Sequence, residues 1–237
     1  MWSGPRNLST ALLRAFENRT DTAVVDEPFY ACFLDATGID HPGRAETLAV
    51  CERDAERVAA ALIGDVPGSA PIFYQKHMTH HMVPALPLDW MASVRHAFLI
   101  RDPVDVILSY AVRRPDLDAE DIGFVRQTEL FDQVCELTGE VPAVIDARDV
   151  LRDPRATLSA LCSRLCIPFD EAMLAWPAGP RTTDGVWAQY WYDAVEASTG
   201  FAPYRPQRRA LPERYRKIEE LCRPHYERMA MHALRSD

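Results

Sequence analysis

The sequence has almost no lysine. Lys76 and Lys217 are the only two, and arginine supplies the rest of the positive charge. It also lacks a positive surplus. The formal net charge is -9 over 237 residues, the opposite sign to that of a general nucleic-acid binder. An anionic ligand therefore needs a local basic pocket. No two of the six cysteines form a CxxC pair. Cys162 and Cys166 are four apart on an expected helix, so they face a core rather than a metal or each other. Such usage fits a reducing cytoplasm. No apolar run reaches the roughly 18 residues of a membrane span, and the first residues lack the apolar stretch of a signal peptide. There is no repeat, low-complexity tract or linker. The length then points to one α/β domain over residues 1–237.

What is present is an alternation of strands and helices. Short strands are expected at 1–3, 22–26, 71–76, 94–100 and 143–147. Helices are expected at 9–18, 45–63, 118–138, 154–165 and 211–234, with a further one opening at Pro103. Residues 27–44 read as a loop containing Gly38, Pro42 and Gly43. Asp102 caps the helix after the fourth strand, with Pro103 at its first position. This alternation predicts a parallel sheet of about five strands flanked by helices.

Two segments carry chemistry. The first is Ser3-Gly4-Pro5-Arg6-Asn7-Leu8-Ser9-Thr10, a turn from a strand into a helix. Free amides and the helix dipole make such a turn an anion site. Arg6 adds a full charge with bidentate donors, and Ser9 and Thr10 add hydroxyls. The turn lacks the lysine and second glycine of the Walker pattern, which counts against classical nucleoside triphosphate hydrolysis. The second segment is Arg101-Asp102-Pro103-Val104-Asp105 followed by Ser109. Arg101 leaves a strand at the carboxyl edge of the sheet, where open α/β proteins bind ligands. Arg101 and Ser109 can hold one phosphate, or Arg101 can pair with Asp102 or Asp105.

Together these segments resemble the sulfotransferase family. Val144 to Pro154 resembles that family's fifth strand and following helix start. Arg181-Thr182-Thr183-Asp184-Gly185-Val186-Trp187 is a looser form of its late nucleotide-covering loop. The resemblance implies a three-layer, phosphate-loop α/β fold. It implies 3′-phosphoadenosine-5′-phosphosulfate as co-substrate, a small-molecule hydroxyl or amine as acceptor, and no metal. Carried over by position, Arg6, Asn7, Leu8, Ser9 and Thr10 form the 5′-phosphosulfate loop. Arg101 and Ser109 hold the 3′-phosphate, and Arg181 covers the nucleotide. Arg6 stands where the family has lysine, and Leu8 where it has glycine. A nucleoside-triphosphate-dependent kinase and a non-catalytic nucleotide binder are the alternatives.

Sulfuryl transfer needs a base, positive charge on the transferring group and donors on the leaving oxygen. Lys76 either touches the sulfuryl oxygens or is a solvated strand-end lysine. The candidate bases are Glu27, which Pro28 should hold extended, His77 and Asp26. His77, His80 and His81 also allow a metal site, although no carboxylate or cysteine lies beside them. Trp187, Tyr190, Trp191 and Tyr192 either stack on a ligand or pack a helix.

Overall fold

A computed structural model describes residues 1–206 and 209–235. Along the chain run β1 (Trp2–Ser3), α1 (Ser9–Glu17), β2 (Thr22–Asp26), α2 (Tyr30–Thr37), α3 (Arg44–Val50), α4 (Ala55–Ile63) and β3 (Ile72–Met78). There follow β4 (Ala97–Ile100), α5 (Pro103–Tyr110), α6 (Ala119–Ile122), α7 (Phe124–Thr138), β5 (Ala143–Asp146), α8 (Ala147–Arg152) and α9 (Pro154–Arg164). The last elements are α10 (Ala188–Trp191), α11 (Asp193–Glu196) and α12 (Arg216–Ala230). The five strands form one parallel sheet in the order β2-β3-β1-β4-β5, flanked by helices.

The chain divides into two compact units. The first comprises residues 1–9, 95–169 and 202–237. Within it Trp2 pairs with Phe98 across β1 and β4, and Ala97 with Ala143 across β4 and β5. β4 and β5 are buried at every position, as strands covered on both faces should be. Val106, Ile107 and Tyr110 of α5 pack with Ile122, Phe124, Tyr215 and Cys222. The Asp102 side chain accepts from Val104 N at 2.9 Å, so the expected cap starts α5. Asp153 accepts from Ala156 N at 2.9 Å and starts α9 in the same way.

The second unit comprises residues 10–94 and 170–201. β2 and β3 pair from Thr22 with Ile72 to Asp26 with Lys76. β2 is half-buried over its first four residues and buried at Asp26. Tyr30, Phe33, Leu34, Trp187, Ala188 and Tyr192 form one core cluster of this unit.

Four expectations change. Residues 30–37 form α2 instead of loop. Its first five residues are all buried, which leaves no polar stripe to read as a helical period. The expected helix 45–63 is two helices, because the Asp54 side chain accepts from Glu56 N and Arg57 N and starts α4 afresh. The expected helix 118–138 breaks at Gly123, which takes a left-handed φ of 67° between α6 and α7. The last helix begins later than expected, at Arg216, after a short turn at Glu213–Tyr215.

Gly4 shows how tightly the first turn is fitted. A Cβ there would lie 2.7 Å from the Ile122 carbonyl oxygen, a backbone atom that cannot step aside cheaply. Gly4→Ala should therefore cost about 1–3 kcal/mol, read as a lowered urea midpoint with unchanged slope. An unchanged midpoint would show that the turn gives way freely.

Candidate active site

The turn between β1 and α1 has a specific backbone. Arg6 and Leu8 both adopt left-handed φ values, 58° and 53°. Leu8 thus holds a conformation that glycine adopts at no steric cost. Asn7 is buried and anchors the turn: its Nδ2 donates to Leu99 O of β4 at 2.8 Å. Gln127 Nε2 donates to the same carbonyl at 2.9 Å. Ser9 and Thr10 occupy the first turn of α1, Ser9 buried and Thr10 half-buried. The turn's amides and these hydroxyls therefore stand at a helix start, as expected for an anion site.

In the first unit the arginines gather. Arg6 Nε donates to Ser109 Oγ at 3.0 Å. Arg101 Nη1 donates to the Arg6 carbonyl at 2.8 Å. Arg6, Arg101, Ser109, Arg113 and Arg209 line a cavity of about 300 Å³ together with Asp105 and Val112. Arg6 is expected at one end of a nucleotide and Arg101 at the other, yet both face this single cavity. Asp102 takes no part in holding Arg101, because Arg223 claims it at 2.7 and 3.2 Å. Asp105 lies 3.7 Å from Arg101 Nε. Burial pushes the Asp105 carboxyl up, against the pull of Arg101. Four guanidinium groups, one hydroxyl and one carboxylate leave a net positive lining. That donor set suits a doubly charged phosphate.

The second unit holds a buried ion cluster. Lys76 is not a solvated lysine; its side chain is 1% exposed. Its Nζ donates to Asp26 Oδ1 at 2.8 Å, Glu27 Oε1 at 2.7 Å and Tyr192 Oη at 2.6 Å. Tyr192 donates in turn to Asp26 Oδ2 at 2.6 Å. Burial works against the Lys76 charge, but Asp26 and Glu27 outweigh it and hold the ammonium well above the usual lysine range. Glu27 moves the other way from an ordinary salt-bridged carboxylate. Burial raises it more than Lys76 lowers it.

The Glu27 backbone departs from expectation. Pro28 should favour an extended residue, but Glu27 has φ 43°. Two hydrogen bonds explain the turn. Glu27 N donates to Lys76 O at 3.0 Å, closing the β2–β3 ladder, and Glu27 O accepts from Tyr30 N at 2.9 Å, opening α2.

His77 follows Lys76 on β3, so the two side chains leave opposite faces of the strand. His77 is buried against Phe29 and Trp90, with ring centroids at 6.1 and 5.2 Å. His81 instead faces Glu27, Nδ1 lying 3.9 Å from Oε2. Arg181 is committed within its own unit: Nη2 donates to Pro177 O at 2.7 Å, and Nε lies 3.7 Å from Glu17. Its loop is pinned by Asp184, which accepts from Arg14 at 2.7 Å and from Arg181 N at 2.7 Å. Thr183 donates to Glu17 as well.

Sequence reasoning missed Arg14, Arg113 and Arg223 as contributors, and it named Asp184 only within the late loop and His81 only for a metal site. Arg14 lies 1% exposed within an apolar helix face, where periodicity marks only carbon. Arg209 had a signal, the basic stretch Arg205–Arg209; Gln207 and Arg208 of that stretch lie outside the described residues.

Two curated Arabidopsis thaliana proteins are similar over nearly the whole chain. Branched-chain-amino-acid aminotransferase-like protein 1 is 40% identical over 235 residues, 99% of this chain and 42% of that protein. Protein 2 of the same name is 37% identical over 231 residues, 98% of this chain and 41% of that protein. The chain spans about two-fifths of their length, so their names describe a longer protein. Among solved structures, a sulfotransferase from Alicyclobacillus acidocaldarius matches with TM-score 0.54 at 13% identity, covering 100% of this chain and 96% of that one. The sulfotransferase domain from the curacin biosynthetic pathway matches with TM-score 0.51 at 17% identity, covering 93% and 95%. Both likenesses are of fold. A family pattern described as a sulfotransferase domain matches residues 1–233, and the chain belongs to that family.

Proposed function

We propose that this chain moves a sulfuryl group from 3′-phosphoadenosine-5′-phosphosulfate to a hydroxyl or amine of a small-molecule acceptor. The observation that carries the reading is the cavity lined by Arg6, Arg101, Ser109, Arg113 and Arg209. In this reading the nucleotide's 3′-phosphate is the anion it takes. Arg6 then serves that end, and the loop amides with Ser9 and Thr10 serve the 5′ end. Asn7 holds the turn in shape, and Leu8 contributes its amide.

The bound donor supplies the sulfuryl group and a phosphate leaving group. The protein's tasks are to hold the donor, to take a proton from the acceptor and to exclude water. Glu27 is the base we assign. Its carboxylate is nearly buried and its pKa is raised, which brings a weak base closer to working pH. Lys76 anchors Oε1 of that carboxylate. Lys76 is thus a positioning residue, and His77, packed among rings on the other face of β3, is not assigned a proton-transfer role. The kinase alternative is disfavoured by the turn itself, since Leu8 and Ser9 stand where the Walker pattern needs glycine and lysine.

Calorimetric titration tests the reading. Adenosine 3′,5′-bisphosphate should bind in the micromolar range, and Arg101→Ala should weaken it by about 2–5 kcal/mol. Tighter binding of ATP with magnesium would favour the kinase alternative instead. Glu27→Gln should keep bisphosphate affinity while turnover drops by about 100-fold or more; undiminished turnover would remove Glu27 as base.

The pH profile gives a separate check. A base must be ionised, so kcat should fall as pH drops through the raised Glu27 pKa. The acid limb should therefore lie above the usual glutamate range of about 4.3. A limb at or below that range would contradict the assignment.

A further inference from the structure

We propose that His81 is a positioning residue for Glu27: its Nδ1 accepts a hydrogen bond from the Glu27 carboxyl once that group has taken the acceptor's proton. The inference rests on the reading of Glu27 as the base.

The geometry divides the Glu27 carboxylate in two. Oε1 is occupied by Lys76 at 2.7 Å, and Oε2 is the oxygen that faces His81, 3.9 Å from Nδ1. That separation is too long for a hydrogen bond. With the proton of the neutral imidazole on Nε2, Nδ1 is an acceptor like an ionised carboxylate oxygen, and the two cannot bond. His81 Nδ1 is a buried atom with no hydrogen-bond partner among the described residues. Native structures seldom leave such an atom unsatisfied.

The ring is fixed in place. It stacks on Tyr30 with centroids 4.5 Å apart and planes 9° apart, and on Phe33 at 4.9 Å and 24°. His80 abuts it at 4.4 Å. His81 is itself 3% exposed. A small movement of the Glu27 carboxyl, rather than of the ring, closes the gap.

The surrounding charges decide which partner carries the proton. Asp26, Lys76 and Tyr192 face the Glu27 side, and His41, His77 and His80 surround the His81 side. Burial, followed by the neighbouring His80, His41 and Lys76, holds His81 well below the usual imidazole range. His81 is therefore held toward its neutral form, while Glu27 is held toward its protonated one. The step balances. The acceptor's O–H (or N–H) bond breaks and its proton passes to Glu27 Oε2. The acceptor's electron pair bonds to sulfur, and the bond from sulfur to the nucleotide's phosphate oxygen breaks, its pair staying on that phosphate. The new Oε2–H then donates to His81 Nδ1. This bond exists only in the protonated state, so it raises the Glu27 pKa and strengthens the base.

The test uses the full chain and His81→Phe, which keeps an aromatic ring and removes the nitrogen. The Glu27 carboxyl is followed by infrared titration, its C=O band identified by its loss in Glu27→Gln. The Glu27 pKa should fall by about one unit in the variant. The acid limb of kcat should move down by the same amount, with bisphosphate affinity unchanged. His81→Asn, which returns an acceptor near the Nδ1 position, should restore part of the shift. Equal Glu27 titration in wild type and His81→Phe would overturn the proposal. The titration needs no turnover. A chain that shows the shift but transfers no sulfuryl group would sink the functional reading and leave the Glu27–His81 pair standing. If the phenylalanine variant does not fold, the nitrogen-15 resonance of His81 Nδ1 in the wild type decides. It should move upfield as Glu27 protonates, and a resonance blind to that titration would overturn the pairing.

Discussion

A lysine ammonium sealed inside the second unit constrains much of what surrounds it. Lys76 cannot remain charged in an apolar interior without partners, and breaking a buried pair typically costs about 3–5 kcal/mol. Two carboxylates and a phenol meet that demand. The β2–β3 register supplies the first of them, because Asp26 lies directly across from Lys76. A one-residue slip would turn Lys76 to the opposite face and strand it. The same register brings Glu27 N to Lys76 O and forces the left-handed turn into α2. With both carboxylates ionised the cluster would carry one negative charge too many for its surroundings. That surplus, added to burial, is why Glu27 rather than Lys76 is the member closest to changing its protonation.

The arginine cavity follows a different logic. Its members belong to the first unit, and their contacts run to a hydroxyl, a backbone carbonyl and a carboxylate. Arg6 reaches Ser109 because its own backbone is left-handed. The left-handed residues at 6 and 8 cost of order 1–3 kcal/mol each. The Asn7 and Gln127 bonds to Leu99 O over-determine the turn and hold that strain in place. Leucine in place of glycine at position 8 therefore leaves the backbone in the conformation glycine would take.

Much of this was legible in the sequence where a single residue type has a local job. Asp102-Pro103 and Asp153-Pro154 start helices because caps and fixed φ act within one turn. The β–turn–α at Ser3–Thr10 and the five parallel strands were readable on the same grounds. What stayed hidden depends on distant partners. α2 has no polar face to betray its period. Arg223 meets Asp102 across 121 residues, and Arg14 meets Asp184 across 170. Arg6 reads as a loop cation in any alignment by position, and only the turn's dihedral angles send it toward Ser109. Lys76 stood out through rarity alone, and its three partners come from two other segments, Asp26-Glu27 and Tyr192.

The overall charge makes the local cavity more consequential. A chain with net charge -9 repels a polyanionic nucleotide at long range. Salt screens that repulsion beyond a Debye length of about 8 Å at physiological ionic strength. Contacts inside the cavity lie well within this distance and are screened far less. Affinity for an anion must then come from the handful of guanidinium groups lining one pocket rather than from the protein's field. The division of labour between the two basic residue types fits this. Arginine, planar and always charged, lines the cavity, while the chain's one buried lysine is spent on holding carboxylates.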